Sequence, residues 1–422
     1  MCLTLSSCQS WLPVTQIETQ PIPTAETVQS TPPSRTPEEA ADATPSTQAL
    51  TIWVPPSIYP DDDALTAQLF ADHLSTFSQH IPGTQINVRI KAATGAGGIM
   101  ESLIAASAVA PAAMPSLVAL QRQDMETAAL KGLLFPLDGS TTALQDSDWY
   151  DYARQLAQIQ NVSFGLPFGA DALLIAVRSN KPIQPSNDWN SLLNQNQPLL
   201  FPAADPQALL TLQLYLSAGG SLTNETGQPA LEPEILSNVL TLYANGAQQG
   251  IFPLSLAQYE DYQQTWQAYT EQRFDRLVTW NTFYMANQQP DSNVFLLPSL
   301  GEQPFALTTG WLWAVTDPLP ERRQTSIRLA EFLVEPGFLS SWTSSRGYVP
   351  VRPSSVQSEM GTNTIDILET LARSATIYPT QDIMSSISPV LQEATLSVIR
   401  LQYNPEQAAK NAADKLQPPA VQ

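Results

Sequence analysis

Charge is scarce in this chain. Of its 422 residues only 14% are Asp, Glu, Lys or Arg, against about a quarter in an average soluble protein. Its 39 acidic side chains outnumber 19 basic ones for a net charge of −20. So few cations under an excess of acid cannot neutralise a phosphate backbone, which excludes nucleic acid as a partner. Cysteine is confined to Cys2 and Cys8, so the body of the chain offers no disulfide, thiolate metal site or cysteine nucleophile. His73 and His80 are the two histidines. Seven residues apart on one expected helix, they stand about 10.5 Å apart along its axis, too far to share a metal, and read as solvated or packed. No apolar run reaches the roughly 18 residues of a membrane-spanning helix. Enzyme signatures are missing too: there is no G-x-S-x-G, P-loop or H-E-x-x-H, and Met100 stands where a dinucleotide fingerprint over Gly95 and Gly97 needs its last glycine. The expectation is a protein with no catalytic residue, no metal and no cofactor.

What is present begins at the N-terminus. Leu5-Ser6-Ser7-Cys8 resembles the lipobox of bacterial lipoproteins, an aliphatic residue and two small ones before the cysteine that is acylated. That resemblance makes residues 1–8 a signal remnant, Cys8 the lipidated residue, and the outer face of the cytoplasmic membrane the location. Over residues 9–48 there are seven prolines and eight threonines without hydrophobic periodicity, a composition that cannot bury enough surface to fold. In an extended form at about 3.1 Å per residue, this tether reaches up to ~120 Å.

At Leu50-Thr51-Ile52-Trp53-Val54 a continuous β-branched apolar run reads as a buried parallel strand. Asp61 to Asp63 then cap a helix with Phe70, Leu74, Phe77 and Ile81 at 4-3-4 spacing, and a strand follows over 85–90. The unit repeats: Gly95 to Gly98 open a helix over 100–109, Pro115 precedes a strand over 116–120, and Asp124 begins another helix ending at Lys131-Gly132. Strands over 164–168 and 172–177 come next, then helical sequence over 205–272, then strands over 276–280, 294–297 and 311–315. Three amphipathic helices, around Ile327, from Leu391 to Leu401, and around Ala409, close the chain. The alternation predicts an α/β fold of mostly parallel sheets flanked by helices, with ligands bound beyond the strands' carboxyl ends.

The order and texture of several segments resemble the extracellular solute-binding proteins of the maltose-binding-like class, the capture subunits of ABC importers. These segments are Pro-Ser-Leu-Val-Ala-Leu (115–120), Lys-Gly-Leu-Leu-Phe-Pro-Leu-Asp (131–138), Gly-Leu-Pro-Phe-Gly-Ala-Asp-Ala-Leu (165–173), Val-Thr-Trp (278–280), Leu-Pro-Ser-Leu-Gly (297–301), Thr-Gly-Trp (309–311) and Gly-Tyr-Val-Pro-Val-Arg (347–352). The resemblance runs from about Leu50 to Leu416. It implies two α/β lobes with a ligand cleft at the hinge, lobe 1 being 49–168 and 302–345 and lobe 2 being 169–301 and 346–422. The crossings would fall near Phe168 to Ala172, Leu300 to Phe305 and Ser345 to Tyr348. It further implies a monomer that delivers a small solute to permease subunits.

Nine tryptophans favour a sugar, whose flat C–H faces stack on aromatic rings while carboxylates accept from its hydroxyls. In the family, the strand matching 276–280 ends at the cleft with an aromatic residue, which makes Trp280 the leading ligand-binding candidate. Trp311, after a glycine near a crossing, follows; Trp313 and Trp342 read as core. Phe168 and Asp171 lie at the first crossing, where Asp171 either accepts from a ligand hydroxyl or caps a neighbouring segment. Asp124 is a helix N-cap or a ligand contact. Tyr59 and Tyr348 are aromatic candidates in loops, and the Tyr259, Tyr262, Trp266, Tyr269 stripe reads as a packing face. A polyamine-binding receptor of the same fold and a surface lipoprotein presenting solute to a sensor stay open as alternatives.

Overall fold

The computed structural model describes residues 48–59, 64–179, 188–287, 289–356 and 362–417. Cys8, the tether up to Thr47 and the capping residues Asp61 to Asp63 lie outside them.

Strand β1 (Gln48–Val54) buries Leu50, Ile52, Trp53 and Val54 on both of its faces. It pairs in parallel with β2 (Thr84–Ile90) on one edge and β3 (Leu117–Gln121) on the other. The helix Ala64–His80 covers them with Phe70, Leu74 and Phe77, as the 4-3-4 spacing predicts. A small antiparallel hairpin, β4 (Gln158–Ile159) with β5 (Val162–Ser163), leads into the strand that organises the molecule, β6 (Leu166–Arg178). The two strands expected on either side of Gly169 and Asp171 are therefore one of 13 residues.

Up to Ala172, β6 pairs antiparallel with β9 (Ala306–Val315), which in turn pairs antiparallel with β3. From Leu173 on, β6 pairs antiparallel with β7 (Arg276–Trp280) on one edge and β8 (Ser292–Leu296) on the other. Short β10 (Ala375–Ile377) adds in parallel to β9. The sheet is mixed. Among the described strands, parallel pairing is confined to β1–β3 and β10, because β6 and β9 run in opposite directions through the middle of the sheet and impose antiparallel neighbours.

Two hydrophobic clusters form on this sheet. The first holds Leu50 to Ala172 with Ala306, Trp311 to Ala372; the second holds Leu173 to Leu297 with Leu307 and Tyr378 to Ala412. The chain thus changes cluster at Ala172/Leu173, around Ala306/Leu307, and between Ile377 and Tyr378. The third change lies some thirty residues beyond the segment Ser345 to Tyr348 expected for it. Local hydrogen bonding explains the difference: Val349 exchanges backbone bonds with Ala170 at 2.8 and 3.1 Å, the Tyr152 hydroxyl donates to the Pro350 carbonyl at 2.7 Å, and Arg352 lies over the Trp149 ring while pairing with Asp146 at 3.1 Å. These contacts bind 348–352 to the first cluster. The C-terminal helices form as read, except that Leu401 lies beyond helix Gln381–Ile399, 72% exposed with φ of 56°.

Candidate functional site

At the first cluster change β6 carries Asp171, whose carboxylate accepts from the Ala172 N–H at 2.9 Å and the Thr282 N–H at 3.1 Å, and from the Thr282 hydroxyl. The two Thr282 donors belong to the first turn of helix Asn281–Ala286. The N-cap residue of that helix is Trp280, whose indole has no acceptor to offer the free N–H groups. Asp171 supplies the missing oxygen from 111 residues away. It is a cap, though of a helix far along the chain. Burial drives its pKa up to about 7, against the opposing pull of the Thr282, Ala172 and Asn281 donors.

The same short helix holds the first cluster as well. Asn281 Nδ2 donates to the Gly347 carbonyl at 2.5 Å, just past helix Pro336–Arg346. Gly347 has φ of +69°, and a Cβ there would sit 2.3 Å from Cβ of Met285, so both backbone and packing require glycine. Beside it Tyr348 stacks on Trp342 at 5.4 Å, and its ring passes so close to Gly169 that a Cβ would stand 2.8 Å away.

Next to these contacts lies a cavity of about 160 Å³. One wall is Asn281, Tyr284 and Met285, with β8 residues; the other is the 343–350 segment, including Gly347 and Tyr348, with helix Thr362–Ser374. It therefore spans elements packed on both clusters. Among the described residues its lining has no Asp, Glu, Lys, Arg or His. Four of its hydroxyls already donate to backbone carbonyls, Thr343 to Leu339 O, Ser344 to Ser340 O, Ser355 to Arg352 O and Tyr284 to Ser292 O. What they present to the cavity is oxygen lone pairs, which suits a guest that donates hydrogen bonds and has apolar faces.

Of the residues expected at the site, Tyr348 alone lines this cavity. Trp280 ends β7, partly buried, with Tyr262 packed against it at 5.9 Å. Trp311 sits on β9 between Gln121 and Gly169 and is 9% exposed. Phe168 is core: at 1% exposure it stacks on Trp313 at 4.6 Å and meets Trp342 edge-on, leaving no ring face for a ligand. Tyr59 packs edge-on to Phe70 and lines a separate groove between helix Ala64–His80 and β2. Asp124 is the third residue of helix Arg122–Leu130, whose N-cap is Gln121, so it caps nothing; burial raises its pKa. Tyr262, Trp266 and Tyr269 are buried in the second cluster, the packing face expected of them. Asn281, Tyr284 and Met285 were not legible. Their only signal was adjacency to Trp280, since a helix of six residues shows no period.

Residues 77–368 match the family described as bacterial extracellular solute-binding protein. The chain belongs to this family. An extracytoplasmic location goes with it, and among the described residues no helix is long and apolar enough to cross a membrane. No curated protein sequence is similar to the chain. Solved structures share its two-lobed fold. The sugar-binding protein MalE from Xanthomonas citri is 15% identical with a TM-score of 0.70, over 87% of this chain and 96% of its own. The cyclic alpha-maltosyl-1,6-maltose binding protein from Arthrobacter globiformis is 15% identical at 0.69, over 87% and 97%. An ABC transporter solute-binding protein from Thermotoga lettingae bound with alpha-D-tagatose is 18% identical at 0.66, over 87% and 98%. At these identities the likeness is one of fold. In this solute-binding protein the two hydrophobic clusters correspond to the two cores that such a fold requires.

Proposed function

We propose that this protein is the substrate-capture subunit of an ABC importer and binds a neutral mono- or oligosaccharide between its lobes, closing around it. The observation that carries the reading is the cavity between helix Asn281–Ala286 and the 343–350 segment, uncharged and rich in acceptor oxygens. Two sugar-binding neighbours and one tagatose complex share the fold. In this reading Tyr348, Tyr284 and Asn281 contact the solute, with the partly buried Trp280 as a flanking ring platform. Lobe 1 comprises 49–172 and 306–377, lobe 2 comprises 173–305 and 378–417, and Cys8 anchors the tether to lipid. Closure follows from the general rule that a ligand favours whichever state gives it contacts from both sides.

A thermal-shift screen against maltose, tagatose, spermidine and amino acids tests it. A solute at 100 times its Kd adds about 2.7 kcal/mol of stability, enough to move the melting temperature measurably. Stabilisation by a sugar, reduced in Tyr284→Ala and Tyr348→Ala, is the expected result. A spermidine response would overturn the neutral-solute assignment, and silence across the panel would favour a role outside transport.

A further inference from the structure

We propose that the cavity beside helix Asn281–Ala286 takes a solute of a single ring, a monosaccharide bearing a methyl group where the common hexoses bear a hydroxymethyl, and that Val356, Ile367 and Leu368 make that selection. This deepens the solute-capture reading and rests on it. Size limits the guest to one ring. The cavity measures about 160 Å³, and one of about 150 Å³ accommodates a single benzene, so the second unit of a disaccharide has no room between the walls.

Hydrogen bonding and apolar contact then set the ring's substituents. Besides the four hydroxyls that donate to backbone carbonyls, Asn281 Nδ2 donates to the Gly347 carbonyl at 2.5 Å and Asn293 Nδ2 to the Ser179 hydroxyl oxygen at 3.0 Å, and the Ser292 hydroxyl is bonded to that of Tyr269. These side chains have committed donors to the protein and kept acceptor lone pairs, which ring hydroxyls satisfy by donating. A carboxylate or phosphate only accepts, so a sugar acid gains nothing here, and no lining Asp or Glu among the described residues offsets an ammonium. The remaining surface is hydrocarbon. Ile367 and Leu368, on helix Thr362–Ser374, are 7% and 6% exposed; Val356 lies in sequence between the 343–350 segment and that helix, while Met285 and Val294 belong to the other wall. A methyl group between these side chains keeps dispersion contacts on both sides. A hydroxymethyl in its place takes a hydroxyl out of water and sets it against hydrocarbon without an acceptor, which weakens binding about ten- to a hundredfold.

Calorimetric titration of the full chain tests this with sugars that differ only at the exocyclic carbon: D-fucose, D-galactose and D-galacturonate; 6-deoxy-D-glucose, D-glucose and D-glucuronate; L-rhamnose and L-mannose. Maltose tests length. In the set whose stereochemistry fits, the deoxy sugar is expected to bind about ten- to a hundredfold tighter than its hydroxymethyl parent, the acid more weakly than the parent, and maltose more weakly than the deoxy sugar. Val356→Thr keeps the shape of the side chain at a partly buried position and adds a hydroxyl to the wall, so the fold survives and the preference for the deoxy sugar should shrink several-fold. Ile367→Ala widens the same wall and should shrink it by admitting the parent sugar. Equal affinities within every set that binds, an acid that binds as tightly as the deoxy sugar, or maltose as tight as the best monosaccharide overturns the proposal and leaves sugar capture standing. An unchanged preference in Val356→Thr overturns the role given to the wall. If no sugar binds, the capture reading and this assignment fail together.

Discussion

Gly347 and Gly132 form a natural pair for measuring how tightly the lobes meet. Both have φ of +69°, so adding a methyl group strains the backbone equally, by about 1–2 kcal/mol for a left-handed non-glycine residue. Around Gly132 nothing lies within 4 Å of the added carbon, whereas at Gly347 it would fall 2.3 Å from both Cβ and Cγ of Met285. A Cβ cannot swing aside as a side-chain tip does, so the clash requires the helix Asn281–Ala286 to move, and overpacking of this kind costs about 1–3 kcal/mol more. Gly132→Ala should therefore lose about 1–2 kcal/mol and Gly347→Ala about 2–5 kcal/mol, compared by urea midpoints at constant m. Adding Met285→Ala to Gly347→Ala removes the Cγ contact and leaves the Cβ contact, so rescue should be partial. Equal losses at the two glycines, or full rescue by Met285→Ala, would refute the packing argument and mean that the segment at 347 yields freely.

Two further outcomes follow from buried charge. Arg276 is 1% exposed, donates only to Leu192 O at 3.4 Å, and its Nε and Nη2 meet no partner among the described residues; burial pushes its pKa down to about 10. Replacing an unpaired buried ion by an apolar side chain of similar length is neutral or stabilising, so Arg276→Met should leave the urea midpoint unchanged or raise it, and a loss above about 2 kcal/mol would contradict this. His73 lies between the Phe332 and Phe338 rings at 4.0 Å each, and burial lowers its pKa from 6.5 against the Phe332 carbonyl bond. The unfolded chain then takes up the proton first, so this residue's contribution declines as pH falls below about 6.5. A titration of stability from pH 7 to 5 should be shallower in His73→Phe than in the wild type.

What was legible in the chain was what local pattern decides. The run Leu50 to Val54, the 4-3-4 spacing of helix Ala64–His80 and the Tyr262, Trp266, Tyr269 face each depend on burial at a fixed period, and each took the expected place. β6 was read as two strands because Gly169 and Asp171 interrupt its apolar run. It is continuous because one edge partner follows another, β9 up to Ala172 and then β7 and β8, so the backbone bonds are satisfied whatever the side chains are.

The contacts where the two clusters meet could not be read from any window of sequence. Asp171 and Thr282 are 111 residues apart, and Asn281 and Gly347 are 66 apart. An aspartate in a loop beside a predicted strand has no property that distinguishes a ligand contact from a cap; the choice is made by where a six-residue helix with no cap of its own comes to rest. The positions are nevertheless interdependent in pairs: an aspartate at 171 is needed because tryptophan stands at 280, and glycine at 347 because methionine stands at 285. Introducing a local cap therefore separates the roles. With Trp280→Ser the helix can cap itself, so its fold no longer depends on Asp171, and Asp171→Asn in that background should leave the amide hydrogen exchange of residues 282–286 insensitive to the charge removed. A continued loss of protection there would mean that Asp171 supports the helix by something other than its cap.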